Sequence, residues 1–315
     1  MMNSSLQLFN HAHLTFAFAV FGIPPVVFWP FVSFFILSAI GLTKIIKDDL
    51  PHEHGLDKLL PFGRLFFAIP MGVFGTDHFA DAVNIAKIVP RYMPWHMFWT
   101  YFVGVALIAA SLSIILKINA RLAGILLGCM FVLFVVMMDI RALVITHNAR
   151  QFWAITLRDI TFSGAAFAVA ATQFKSAASG GTALLVAIAR IFVGIPAIFF
   201  GVQHFLHPTM EPGFPLGIIT PAWIPGNIFW VYLVGSALII CGACFVANIK
   251  ARPAAMYLGI VILLLVAYIY VPVTIANPLD LDKGLNSLAD TLALSGTAFV
   301  LADAIRGRTR REVSA

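Results

Sequence analysis

Two stretches decide the reading of this chain: RLFFAIPMGVFGTDHF at Arg64–Phe79 and RIFVGIPAIFFGVQHF at Arg190–Phe205. Eight of their sixteen positions are identical. A second block follows each of them. PRYMPWHMFWTYFVGVALI from Pro90 aligns with PAWIPGNIFWVYLVGSALI from Pro221, ten of nineteen positions matching after an insertion of five residues. Chance identities in an apolar chain fall on Ala, Val, Ile and Leu. Here Arg, Pro, Gly, His, Trp and Tyr recur at fixed spacing, the mark of an internal repeat. The chain therefore reads as one unit carried twice.

Working outward, each stretch lies in an apolar run long enough to cross a bilayer, which takes about 20 residues at 1.5 Å rise. The whole chain has that character: of 315 residues, 61 % are hydrophobic and 11 % charged, with mean hydropathy +0.95. So little polar surface does not cover a soluble globule of this size. Nine spans are predicted, near 24–43, 62–80, 97–116, 121–140, 152–172, 183–206, 227–247, 253–276 and 285–303. The fold class expected is an all-α polytopic membrane protein. Its divisions are a leading helix and linker (1–60), two four-helix units (61–175 and 183–305) and a basic tail (306–315). An even number of spans per unit gives both units the same orientation, unlike transporters built of inverted repeats.

A net charge of +6 and a pI near 9.4 suggest nucleic acid only until the charges are placed. With the amino terminus outside, the loops 44–64, 117–121, 173–190 and 248–252 and the tail from Arg306 hold fourteen of the twenty Lys and Arg residues. Basic residues gather on the cytoplasmic side, so the amino terminus is expected outside, the RGRTRR tail inside, and the location the cell (inner or plasma) membrane. No basic face is left for DNA or RNA, and the lipid bilayer is the partner. No cleavable signal peptide is expected, because no Lys or Arg precedes residue 14. Cys129, Cys241 and Cys244 fall inside predicted spans and describe no disulfide framework. Cys241-Gly-Ala-Cys244 reads as small-residue helix packing rather than a redox pair, since it lies deep in its span.

Within each unit the matched positions keep one order: Arg64/Arg190, Pro70/Pro196, Gly75/Gly201, His78/His204, then Pro94/Pro225 and Trp99/Trp230. Fourteen residues separate Arg from His, or about 21 Å of helix. The Arg thus anchors one interface by snorkelling and the His lies near the other. Trp99 and Trp230 read as interfacial anchors.

The order Arg, Gly-x-x-His-Phe, Pro-x-x-x-Pro, an aromatic-rich helix and a short basic turn resembles DoxX-like membrane proteins. It is met as GTDHF, VPRYMP and KINAR in the first unit and as GVQHF, TPAWIP and NIKAR in the second. The resemblance covers roughly 62–172 and 185–303, and departs from the family in being a tandem pair with an extra leading helix. It implies a helical bundle which, in some members, is a subunit in respiratory or sulfur redox chemistry, including thiosulfate:quinone oxidoreductase. A quinone is the cofactor, and a membrane or outer-side redox protein the partner, that this implies.

The residues themselves offer two candidate polar groups. One is Asp77, His78 and Asp81 at the outer end of the first unit, with His204 and His207 at the matching place and Glu211 beyond. Imidazole and carboxylate at helical spacing suit proton exchange or a divalent metal. The plainer reading is interfacial residues ending a helix, and the differing sets in the two units count against one shared metal site, so none is expected. The other group is Asp139, Arg141, Arg158 and Asp159. Charges inside spans face a partner or a wet cavity, and an Asp139–Arg158 pair is expected, with Asp290 standing where the first unit has Arg158 and Tyr270 where it has Asp139. His52 and His54, in the linker, and His11 and His13 read as solvated. No P-loop, dinucleotide-binding, H-E-x-x-H or G-x-S-x-G motif occurs. Three functions stay open: a redox-associated subunit binding quinone near the outer face, a small-solute transporter, and a non-catalytic assembly protein.

Overall fold

The computed structural model describes residues 22–145, 150–173, 180–209 and 226–313. Pro225, Glu211, His11 and His13, and the last two residues of the tail, lie outside the described residues. Among those described, every regular element is helical, and nine helical spans are long and apolar enough to cross a membrane. The protein is an all-α, multi-pass membrane protein in contact with the lipid bilayer.

The principal helices are α1 (Pro25–Lys44), α2 (Leu60–Ala80), α3 (His96–Leu116), α4 (Ala120–Phe134), α5 (Arg150–Thr172), α6 (Gly180–Leu206), α7 (Asn227–Ala247), α8 (Ala251–Leu265) and α9 (Ser287–Val313). Helix α1 starts where Pro24 is extended and Pro25, which needs no amide donor in the first turn, can open a helix. Helices α4 and α8 each run on through one wide turn, Val135–Asp139 and Val266–Tyr270, into a further helical turn and a half. Such π-type turns are uncommon and concentrate at functional sites. These two fall at matching places in the two halves.

The turns match as well. Three residues join α3 to α4, Lys117-Ile118-Asn119, and three join α7 to α8, Asn248-Ile249-Lys250; the outer two of each are left-handed, with φ of 59° and 51°, then 56° and 48°. A left-handed residue closes one helix by freeing its end for a reverse turn, and a second one restarts the next. At the opposite end of α3 and α7, Trp95 and Gly226 occupy the same left-handed region. A side chain there is strained by roughly 1 kcal/mol, which Gly226 avoids.

Helices α2 to α9 pack each on the next in chain order, and α9 closes on α2. Helices α5 and α9 also meet each other across the middle, while α1 lies outside against α2 and α3. Burial follows: 83 % of the core stretch of α5 and 89 % of that of α9 lie inside the protein, against 22 % for α1. The halves are therefore exchanged, the fourth helix of each packing along the first helix of the other. Glycines permit this close approach. A Cβ on Gly296 of α9 would lie 2.4 Å from the Phe67 amide of α2, and one on Gly164 of α5 would lie 2.9 Å from the Phe192 Cβ of α6. Within each half, Ser163 of α5 donates to the Gly128 carbonyl of α4 and Ser295 of α9 to the Gly259 carbonyl of α8, both at 2.9 Å. The Cys241–Cys244 stretch packs on α6, where a Cβ on Gly242 would meet the Gly194 carbonyl at 2.7 Å.

Candidate functional site in the seam between the halves

The charged residues inside the spans collect where α5 meets α9. Arg158 lies two turns into α5, and its guanidinium donates to Asp159 at 3.0 Å and to both carboxylate oxygens of Asp290 on α9, at 3.5 and 3.4 Å. Asp159 and Asp290 are 5 % and 4 % exposed, so neither finds water to replace the guanidinium. Below it, Arg158 stands 5.8 Å over the Phe162 ring, which is set edge-on against Phe67 of α2 and Phe131 of α4. Phe162 thus fixes the floor of the charged group to three helices.

The expected partner of Arg158 was Asp139, and the structure differs. Asp139 ends the wide turn of α4 within electrostatic reach of Arg158 and Asp159, but among the described residues it forms no ion pair, and its buried Oδ2 has no hydrogen-bond partner. The reason is the exchange of helices: α9 of the second half packs along α5 and places Asp290 at the guanidinium. Arg158 and Asp290 are matching positions of the two halves, so the pair is a contact of one position with its counterpart. Two carboxylates thus pair with one guanidinium, and a third carboxyl group, that of Asp139, stands within electrostatic reach of it. Tyr270, the counterpart of Asp139, ends the wide turn of α8 and is fully buried. Arg141 stacks over Tyr92, 5.4 Å from its centroid, away from this group.

The histidines do not join the seam. His78 Nδ1 lies 2.7 Å from the Phe74 carbonyl one turn back, and His204 Nδ1 lies 2.5 Å from that of Phe200. A carbonyl only accepts, so both rings carry their proton on Nδ1. Their Cβ atoms face Gly104 of α3 and Gly235 of α7, and the next residues stack as Phe79 on Tyr101 and Phe205 on Tyr232. Each histidine thus belongs to the α2/α3 or α6/α7 contact of its own half. Asp81 stands where α2 breaks, its carboxylate accepting from Asn84 at 2.7 Å rather than from His78. His207 follows the end of α6. No three His, Cys, Asp or Glu side chains converge as a metal site among the described residues.

Asp77 is placed differently from His78. It is 8 % exposed and turns toward Asn286 and Asp282 in the wide turn preceding α9, with Asp81 and Asp290 in electrostatic range. Among the described residues, Asp77 Oδ1 and Asn286 Oδ1 have no hydrogen-bond partner, while the Asn286 side chain lies within hydrogen-bonding range of the Asp77 carboxylate.

The repeated framework positions act as packing and anchoring residues. Gly75 and Gly201 let α2 and α6 approach the Gly104 and Gly235 carbonyls, a Cβ there meeting them at 2.9 and 2.7 Å. Pro70 and Pro196 sit inside α2 and α6, Pro94 in the turn before α3, and Trp99 and Trp230 in the first turns of α3 and α7, Trp230 stacked on Tyr268. Arg190 donates to the Phe245 carbonyl at 3.2 Å. Arg64 pairs with Asp49 at 2.8 Å.

That last contact opens a network at the far end of the bundle. Asp49, which also binds Lys117, is followed at intervals of four by Glu53 and Asp57. Glu53 takes both arms of Arg306, at 2.6 and 2.7 Å, and Asp57 takes Arg252 at 2.6 Å. The linker between α1 and α2 is thus an acidic strap fastening basic residues of both halves. His52 and His54 on it are exposed.

No family model, no curated protein and no solved structure matches the chain.

Proposed function

We propose that this protein is a tandem DoxX-like membrane protein, seated in the cell membrane with its amino terminus outside, that binds the polar head of a quinone-type carrier at the seam between its halves. The observation carrying the reading is the buried Asp139 Oδ2, without a partner beside the Arg158–Asp159–Asp290 group. A quinone head brings a carbonyl that accepts from a guanidinium and, once reduced, a hydroxyl that donates to a carboxylate. The seam offers both kinds of group at membrane depth, where a lipid-soluble ligand arrives. Intramembrane charges of this sort mark ligand or proton paths more often than plain structure. Electrons would come from an associated redox protein.

The test is titration of the purified protein with a short-chain quinone analogue, followed by quenching of its tryptophan fluorescence. Saturable binding is expected, weakened about tenfold by Asp139→Asn, the equivalent of one hydrogen bond to a charged group. Folded protein that does not bind at saturating analogue overturns the reading. Uptake of a solute by reconstituted vesicles, lost in Arg158→Gln, would instead support a transporter.

A further inference from the structure

We infer that Tyr92, on the segment between α2 and α3, is a positioning residue that latches the wide turn of α4 and so sets Asp139 at the seam; the inference rests on the quinone reading of that site. The Tyr92 hydroxyl donates to the Met137 carbonyl, within the turn Val135–Asp139, at 3.3 Å. The Arg141 guanidinium stands 5.4 Å from the centroid of the same ring. Met137 and Arg141 are four residues apart and share one helical face, whereas Asp139, two from each, falls on the opposite one. One ring thus grips, from behind, both ends of the short segment that carries Asp139. A carbonyl has a second lone pair for such a donor even where it serves a helix.

Tyr92 is 54 % exposed, so core packing does not account for where its hydroxyl goes. The backbone presents it instead. The Met93 amide donates to the Pro90 carbonyl at 2.9 Å, which closes a turn with Tyr92 at its third position, and Pro94 follows two residues later. Each proline fixes its own φ and restricts the residue before it, so the repeated Pro-x-x-x-Pro spacing here serves to hold one tyrosine at the turn of α4. The second half secures its wide turn at the same position by other means. Tyr268, the counterpart of Met137, stacks on Trp230 with centroids 6.1 Å apart and planes at 25°. Tyr270, the counterpart of Asp139, is fully buried there. Where the turn ends in a ring, packing holds it; where it ends in a carboxyl group, a hydroxyl takes hold of the backbone. Turns of this π type concentrate at functional sites, and the one bearing Asp139 is the one so latched.

The test uses the full-length protein in detergent and two readouts, the first without quinone. Infrared spectroscopy identifies the carboxyl band of Asp139 as the one lost in Asp139→Asn. In Tyr92→Phe, which removes the hydroxyl and keeps the ring beneath Arg141, that band should shift. In the second readout, titration with the short-chain quinone analogue, Tyr92→Phe should weaken binding about fivefold, one neutral hydrogen bond's worth. It should cause no further loss in the Asp139→Asn background, because a positioning residue acts only through the group it positions. Tyr101→Phe, whose ring stacks on Phe79, should leave both readouts as they are in the unaltered protein. An Asp139 band that stays in place in Tyr92→Phe overturns the latch, as do losses that multiply in the double variant, the mark of a merely structural effect. If the unaltered protein binds no analogue, the quinone reading falls and the infrared band alone decides the latch.

Discussion

Replacing Arg158 by Gln should unfold the protein more readily than any other single polar change in the spans, and the structure supplies the size. The guanidinium is the ion-pair partner of two carboxylates that are 5 % and 4 % exposed. Breaking a buried pair from one side leaves uncompensated charge and costs about 3–5 kcal/mol. The Asp290 contacts are long, at 3.4 and 3.5 Å, and the Arg158 side chain keeps 24 % of its surface exposed, so the lower limit, about 3 kcal/mol, applies. The lost stacking on Phe162 adds roughly 0.5–1 kcal/mol. At about 2 °C per kcal/mol for a chain of this length, the melting midpoint falls by about 7–8 °C. Thermal unfolding in detergent, read by intrinsic fluorescence, measures it. The decisive comparison is the double variant Arg158→Gln with Asp290→Asn, which removes the stranded charge on α9. It should recover at least about 1 kcal/mol relative to the sum of the single changes, the coupling expected for residues in contact. Strict additivity of the two would refute the pairing of matching positions across the seam.

Three further outcomes are expected. Gly296→Ala forces a Cβ to within 2.4 Å of the Phe67 amide and should destabilise by about 1–3 kcal/mol, whereas Gly307→Ala, with nothing within 4 Å, should leave the melting midpoint unchanged. Ser163→Ala and Ser295→Ala each remove one hydrogen bond to a glycine carbonyl between adjacent helices and should cost about 1 kcal/mol apiece, additively, since the two sites share no partner; unequal or strongly coupled losses in the same assay would show that the halves are not packed alike. Glu53→Gln breaks the two-armed contact with Arg306 and should lower the midpoint by an amount that shrinks as salt is raised, because the pair is partly exposed and therefore screened.

The spans were legible because a bilayer imposes one length and one composition on them. The span predicted at 227–247 coincides with α7, those at 24–43, 62–80, 97–116, 152–172 and 183–206 lie within three residues of their helices at either end, and the one at 285–303 stops ten residues short of the end of α9. Matching positions were legible for the same reason that they are matched: Gly75 and Gly201, or the KIN and NIK turns, repeat because the backbone there permits little else. What escaped was anything decided by which helix stands next to which. The Asp139–Arg158 pair was the economical choice inside one unit, and it failed once α9 proved to pack against α5. The signal was present in the opposite charges of Arg158 and Asp290 at one repeated position, which make sense only if those positions face each other. The strap was missed similarly. Asp49, Glu53 and Asp57 are four apart, a spacing that a mixed-charge linker does not require, but their partners lie as far as Arg306 along the chain.

The strap has a consequence in time. Glu53 is made 253 residues before the arginine that closes on it, and Asp57 is made 195 residues before Arg252. A chain emerging from its amino end therefore carries these acids unmatched through the insertion of every helix up to α8, with only Arg64 and Lys117 available early. The final fastening happens when α9 arrives, the same step that brings Asp290 to Arg158 and Phe299 against Gly63. One helix thus completes both ends of the bundle at once. A chain truncated before it would be left with a loose acidic segment on one side and a stranded guanidinium within the membrane, two exposed defects by which a quality-control protease could recognise unfinished copies.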